Sequence, residues 1–139
     1  MTEFLRVTAA NTVWWIHAAL KTREWYVATR DVSNSQETLL CGILHENKDT
    51  FFGREHRFSK INSVKEFQSL VPIRDYEGFR SYIERIADGE QKVLTQEPVG
   101  RFGVSSGTTS ASKLIPYPSS LVDDFQKGVS PWAFFLFRN

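Results

Sequence analysis

A run of hydroxyl-bearing residues between two short apolar segments constrains the fold more than any other feature of this sequence. Six of the eight residues from 105 to 112 are Ser or Thr, and Lys113 follows them directly. The flanking segments, residues 102–104 and 114–117, are apolar, short and interrupted by Gly or Pro. Such segments are typical of strands on either side of a loop. The pattern therefore predicts a strand–loop–strand unit in the last third of the chain.

The residues before this unit follow a helical pattern instead. Helices are predicted over residues 4–28, over a segment that ends near Asn47, from Ser63 through Leu70, and from Tyr76 to Ala87. Two candidate N-caps open the second of these helices after a loop at residues 31–35, namely Ser33 with Gln36 or Asn34 with Glu37. A last helix is predicted to begin at Ser119 or Ser120, and residues 93–94 to form a further short strand.

The predicted fold class is therefore mixed α/β. The chain is interpreted as a helical lead-in over residues 1–35 and a helical segment over residues 36–90. A strand–loop–strand–helix segment over residues 91–139 follows them. Aromatic residues make up 14% of the sequence, more than a small domain usually buries. We therefore expect part of the core to be shared with further chain, and residues 132–137 to be exposed or loosely packed.

The amino-acid composition argues against several classes of binding partner. Lys and Arg number 17 against 16 Asp and Glu, a formal net charge of +1, so we expect no long-range attraction to nucleic acid or to an anionic membrane. Cys41 is the only cysteine, which excludes an internal disulfide and a cysteine-based zinc cluster in this sequence. The histidines share no metal-ligand spacing, and His45 and His56 lie in polar stretches where we expect them to be solvated. No membrane span or leader peptide is apparent, so a cytoplasmic protein is expected.

The residues of the loop suit an anionic phosphate. Hydroxyl groups donate hydrogen bonds to phosphate oxygens, and Gly107 can take a positive φ that turns successive backbone N–H groups into one concavity. Lys113 adds a compact positive charge. The loop does not match the Walker P-loop, because no Gly-Lys pair is present and a proline follows soon after the lysine. A Ser/Thr-rich surface linker is the alternative, and the flanking strands and the lysine favour a phosphate loop.

Residues 105–109, Ser-Ser-Gly-Thr-Thr, with Lys113 and the following Leu-Ile-Pro, resemble the first nucleotide-binding motif of a known family. This is the auxin-responsive promoter ("GH three") family of acyl-acid amido synthetases, which belongs to the adenylate-forming superfamily. Residues 47–54, 67–73 and 82–90 also resemble that family's opening segment, in the same order and spacing. The resemblance extends over residues 36–132 and thus over most of the chain.

The resemblance implies a fold, an activity and a set of site residues. The fold would be the N-terminal part of a large acyl-CoA-synthetase-like domain, and the activity an ATP-dependent ligase reaction. In such a reaction ATP and a carboxylic acid give an acyl-adenylate and pyrophosphate, and an amine such as an amino acid then forms the amide. Mg²⁺ is the implied metal, although this sequence offers no recognisable ligand for it. The implied phosphate-binding residues are Ser105, Ser106, Gly107, Thr108, Thr109 and Lys113.

Two interpretations of the chain therefore stand side by side. In the first, it is the N-terminal fragment of such a ligase, and we expect the 139-residue chain alone to be inactive. In the second, it is a non-catalytic truncated remnant or a partner-binding fragment whose exposed aromatic side chains mediate contacts.

Overall fold

The computed structural model describes residues 2–105 and 112–138 of the chain. Its helices and strands are α1 (Thr2–Ala28), α2 (Val32–Asn47), α3 (Phe51–Glu55), α4 (Val64–Leu70), α5 (Tyr76–Ala87), β1 (Val99–Ser105), β2 (Lys113–Pro118) and α6 (Ser120–Arg138), with a 3-10 turn at Phe58–Lys60. They form two compact units, one made of Met1–Ser35 with Val122–Asn139 and the other of Gln36–Leu121. Helices together with a two-stranded antiparallel sheet confirm the predicted mixed α/β class.

The unit Gln36–Leu121 has an apolar core with Phe52 among its buried rings. The ring of Phe52 lies 5.3 Å from that of Tyr82 and 5.8 Å from that of Phe58, both in edge-to-face geometry. Such aromatic pairs add a specific orientation to the general gain from apolar burial. The core cluster comprises Leu44, Phe52, Phe58, Ile61, Tyr82, Ile86 and Val93. It joins α2, α3, α5 and the segment ahead of β1 into one body.

The turn between α2 and α3 is held by a fully buried threonine. Thr50 caps α3, because its Oγ1 accepts a hydrogen bond from the N–H of Gly53 at 2.9 Å and donates one to the carbonyl of Asn47 at 2.7 Å. A Cβ at Gly53 would lie only 2.0 Å from that carbonyl oxygen. Only glycine therefore fits at position 53 without moving the backbone.

Most of the predicted helices are confirmed. The structure has helices at the predicted positions of α1, α4, α5 and α6, and α2 ends at Asn47 as expected. The predicted start of α2 is wrong, since the helix begins at Val32 and both proposed caps already lie within it. Asp31 accepts the hydrogen bond from the N–H of Asn34 instead, at 3.1 Å. The short helix α3 was not predicted.

The predicted strand at residues 93–94 is also wrong. The carbonyls of Lys92 and Val93 accept hydrogen bonds from the N–H groups of Phe51 and Phe52, at 2.8 and 3.0 Å. These are the first N–H groups of α3, which have no partner inside their own helix. The segment thus satisfies a helix terminus, and the side chain of Val93 is buried in the core.

His56 is buried, which contradicts the prediction that it is solvated. Only 8% of the residue is exposed, and its ring lies 4.3 Å from the ring of Phe52. The turn that ends α3 carries His56 inward despite its polar sequence neighbours. His45, in contrast, is exposed on α2 as expected.

The unit formed by α1 and α6 has small buried residues and exposed large ones. Its aromatic contacts include Trp15 with Phe134 at 5.5 Å and Tyr26 with Phe135 at 6.1 Å between ring centroids. The expectation that residues 132–137 are exposed or loosely packed holds for Trp132 and Leu136 and is wrong for Ala133, of which only 2% is exposed. The buried residues are Ala18, Thr22, Ser130, Pro131 and Ala133. Within the part of the chain that the structure describes, none of the helices combines the length and apolarity needed to cross a bilayer.

Candidate functional site

The antiparallel pair β1 and β2 brings the two ends of the predicted phosphate loop together. Ser105 pairs with Lys113, and Val104 pairs with Leu114 in the same register. The predicted strands on either side of the loop are thereby confirmed. Of the six predicted site residues, the structure places Ser105 and Lys113 side by side at the end of the hairpin, and both are half-buried. Ser106, Gly107, Thr108 and Thr109 lie outside the described residues.

Helix α5 is attached to this end of the hairpin through Tyr76. Asp75 caps the helix by accepting a hydrogen bond from the N–H of Gly78 at 3.0 Å, so that Tyr76 is the first helical residue. The hydroxyl of Tyr76 accepts a hydrogen bond from the N–H of Leu114 at 2.9 Å. This contact gives a partner to a backbone donor of β2 immediately after Lys113. The start of β2 is therefore anchored to α5.

The same tyrosine lies close to two cations. The Nζ atom of Lys113 is 5.2 Å from the centroid of the Tyr76 ring, and the guanidinium carbon of Arg80 is 5.7 Å from it. Both distances fall within the range of cation–π attraction. The aromatic face thus supports the ammonium of Lys113 without neutralising its charge.

The nearby carboxylate of Glu77 is occupied by Arg80. The Nε and Nη2 atoms of Arg80 donate to the two carboxylate oxygens of Glu77 at 2.7 and 2.8 Å. These hydrogen bonds, with the positive charges of Arg80 and Lys113, hold the pKa of Glu77 below its ordinary value. The same hydrogen bonds raise the pKa of Arg80.

Lys113 itself has no ion-pair partner among the residues that the structure describes. Ser105 and Lys113 are cross-strand partners, so a hydroxyl-bearing residue and a lysine without an ion-pair partner lie side by side at the end of the hairpin. A cation and a hydroxyl donor at the end of a hairpin are suited to holding an anion such as a phosphate.

Close packing across the sheet restricts one more position of the hairpin. A Cβ at Gly103 would lie 2.6 Å from the hydroxyl oxygen of Tyr117, which reaches diagonally across from β2. The glycine between the two apolar residues of β1 therefore leaves space for this tyrosine. From Arg101 onward the pairing of β1 with β2 continues without a shift to Ser105 and Lys113.

Sequence reasoning missed the contribution of α5 to the site. Tyr76, Glu77 and Arg80 were not among the predicted site residues. The hydrogen bond from Leu114 to Tyr76 joins residues 38 positions apart. No local spacing signals a contact over that separation, so only the three-dimensional structure could find it.

Comparison with known protein families shows which family this chain belongs to. The model of the "GH3 family N-terminal domain" matches residues 21–139 of the chain. The chain belongs to the GH3 family. This result confirms the resemblance drawn from the loop and the upstream motifs, and the match begins within α1.

Curated GH3 relatives are named as amido synthetases. A jasmonoyl–L-amino acid synthetase of Nicotiana attenuata is 31% identical over 118 residues, which are 84% of this chain and 20% of that protein. A probable indole-3-acetic acid-amido synthetase of Arabidopsis thaliana is 36% identical over 90 residues, 63% of this chain and 15% of that protein.

A solved GH3 structure agrees with the fold. An acyl acid amido synthetase in complex with 2,4-DB superimposes with a TM-score of 0.67 at 31% identity, over 74% of this chain and 18% of that chain. The chain therefore corresponds to an N-terminal part of the adenylate-forming fold, as predicted. It spans about a fifth or less of the length of these relatives.

Proposed function

We propose that this chain is the phosphate-binding N-terminal segment of an ATP-dependent acyl-acid amido synthetase. The complete reaction would adenylate a carboxylic acid and then transfer the acyl group to an amine such as an amino acid. Membership of the GH3 family supports the reaction class. The observation that carries the assignment to this segment is Lys113, which pairs across the hairpin with Ser105 at the base of the Ser/Thr-rich loop and has no ion-pair partner among the described residues.

The described part of the loop fits a polyphosphate. Ser105 supplies a hydroxyl donor and Lys113 a compact charge, and neither is paired with a carboxylate in the described residues. We assign Ser105, Ser106, Gly107, Thr108 and Thr109 to the phosphate oxygens as hydrogen-bond donors. We assign Lys113 to the outer phosphates, where negative charge accumulates as pyrophosphate leaves.

The metal that accompanies ATP has no assigned ligand in this segment. Within residues 2–105 and 112–138, no three His, Cys, Asp or Glu side chains lie together in a way that could hold a metal ion. In this proposal the segment contributes hydrogen-bond donors and one lysine to the binding of ATP. A free Cys41 and the use of ATP suit the cytoplasm, which is the location that we propose.

Lys113 is expected to act in the first half-reaction only. Its charge matters most when the bond to pyrophosphate breaks, and interactions that strengthen in the transition state are those that raise turnover. Pyrophosphate has left before the amine attacks the acyl-adenylate. A residue that acts on pyrophosphate therefore has little influence on amine transfer.

The test uses a full-length GH3 protein that carries this segment, with the two half-reactions timed separately by rapid quench. We expect Lys113→Ala to slow adenylation by about two to three powers of ten, the loss typical of one well-placed donor in a reaction site. Lys113→Arg should restore part of the rate, because a planar guanidinium does not replace a compact ammonium. Lys65 is an exposed lysine on α4. The control variant Lys65→Ala should leave both rates unchanged. Equal slowing of adenylation and of amine transfer by Lys113→Ala would contradict the assigned role.

A second candidate function is partner binding without catalysis. It is favoured by the exposed apolar side chains of α6, namely Leu121, Phe125, Trp132 and Leu136. Exposed apolar stripes of this kind are typical of contact surfaces. Acid-dependent ATP–pyrophosphate exchange by the protein that carries this segment separates the two candidates, because only the ligase supports it.

A further inference from the structure

The first residue of α5, Tyr76, contacts Lys113 without forming an ion pair with it. Tyr76 supports it through the ring face at 5.2 Å, and the hydroxyl of the same residue holds the backbone of Leu114 at 2.9 Å. Tyr76 therefore restrains Lys113 twice, at the side chain and through the following residue. Neither contact neutralises the lysine, because an aromatic face attracts a cation through its quadrupole and carries no net charge.

Glu77 is the acidic side chain that could neutralise Lys113. It follows Tyr76 directly, and the charge of Lys113 contributes to the lowered pKa of its carboxyl group. Both of its carboxylate oxygens are taken by the fork of Arg80, a bidentate geometry that a lysine ammonium cannot match. An ion pair between Glu77 and Lys113 is thereby disfavoured.

We propose that Tyr76, Glu77 and Arg80 form a positioning group that keeps Lys113 in place and without a carboxylate partner, so that it is available to phosphate. Tyr76 fixes the location of the ammonium, and Arg80 prevents Glu77 from pairing with it. This inference rests on the proposed function of Lys113 and extends it to residues of another element. Arg80 acts through Glu77 and makes no contact with phosphate itself.

This arrangement predicts a rescue that a purely structural role would not produce. In Arg80→Gln the carboxylate of Glu77 loses its partner and is free to pair with Lys113. We expect the affinity for ATP to fall by about two- to fivefold, the range of an exposed ion pair. In the double variant Glu77→Gln with Arg80→Gln the competing carboxylate is gone, and the affinity should return to that of the wild type.

The experiment is a titration with ATP of the full-length GH3 protein that carries this segment, isotope-labelled at lysine and followed by NMR. The ε-methylene protons of Lys113 are the second readout, because the Tyr76 ring shifts them upfield while the ammonium lies over its face. Arg80→Gln should remove this shift and the double variant should restore it. Arg85→Gln is the control for net charge, since Arg85 lies on the same helix and pairs with Glu90. It should leave both the affinity and the shift unchanged.

The possible outcomes separate this inference from the proposed function. If Lys113→Ala does not weaken ATP binding, or if the full-length protein binds no ATP, the phosphate site itself is wrong and the inference falls with it. If Lys113→Ala weakens binding but the double variant stays as weak as Arg80→Gln, Arg80 contacts phosphate directly and only the positioning group is overturned. If Arg80→Gln and Arg85→Gln weaken ATP binding equally, the effect is one of net charge alone, and the positioning group is again overturned.

Discussion

Replacing Gly53 by alanine tests the packing that joins α2 to α3. The new Cβ would lie 2.0 Å from the carbonyl oxygen of Asn47, a backbone atom that cannot swing aside as a side chain can. The two groups must separate by roughly 1 Å, which is comparable to severe overpacking of a core. The strain therefore falls on the turn that carries Thr50.

The magnitude follows from the hydrogen bonds in that turn. Thr50 is fully buried and binds the carbonyl of Asn47 through both its hydroxyl, at 2.7 Å, and its N–H, at 3.1 Å. A buried polar group that loses its partner costs about 1–3 kcal/mol, and overpacking adds about 1–3 kcal/mol. We expect Gly53→Ala to lower the free energy of unfolding by about 2–6 kcal/mol, the sum of these two contributions.

Urea denaturation followed by circular dichroism measures this change, with Gly42→Ala as the matched control. Gly42 lies inside α2 with no atom within 4 Å of its would-be Cβ. Alanine at position 42 should therefore raise the free energy of unfolding by about 0.5–1 kcal/mol, the usual gain in a helix interior. An average substitution lowers the free energy of unfolding by about 1 kcal/mol. If Gly53→Ala lowers it by less than that, the close approach to Asn47 does not constrain the turn.

Two further predictions concern association and pH. The exposed side chains of α6 should make the chain self-associate, so that a Trp132→Ser, Leu136→Ser variant sediments at lower mass and binds less hydrophobic dye; a monomeric wild type at high concentration would refute this. The pKa of Glu77 is lowered in the folded chain, chiefly by its hydrogen bonds with Arg80. The ionised carboxylate therefore stabilises the fold above pH 4.5, the ordinary pKa of a glutamate, and this stabilisation is lost as the pH falls through the lower pKa of the folded chain. Stability should thus decline less below pH 4.5 in Glu77→Gln than in the wild type, as measured by urea midpoints across pH; parallel curves would count against it.

Local signals were sufficient for most helix boundaries. Ser63, where this helix was predicted to begin, caps α4 by accepting a hydrogen bond from the N–H of Glu66 at 3.3 Å. Asp88 and Gly89 end α5, and Gly89 has a φ of +94°, which favours glycine. These features depend on residues within one turn of each other, so the sequence pattern contains the whole interaction.

The features that escaped prediction depend on contacts between distant residues. Helix α3 has five residues, and its first N–H groups bind carbonyls at Lys92 and Val93, about 40 positions later. His56 is buried because that helix turns it toward Phe52. At the candidate site, the loop residues and Lys113 were visible as a motif. The supporting role of Tyr76 was not, because its hydroxyl reaches Leu114 only in the folded chain.

The link between Asn47 and Gln96 has a consequence for the order of folding. The Oδ1 atom of Asn47 accepts a hydrogen bond from the N–H of Gln96 at 2.8 Å, across 49 positions of sequence. We therefore expect the lead-in to β1 to reach its native position after the helices between these residues have come together, because long-range contacts form at the cost of closing the intervening chain. Hydrogen exchange should accordingly show the hairpin of β1 and β2 opening in smaller fluctuations than those that release the core around Phe52. A nucleotide held at the tip of that hairpin would then be bound by one of the last segments to fold.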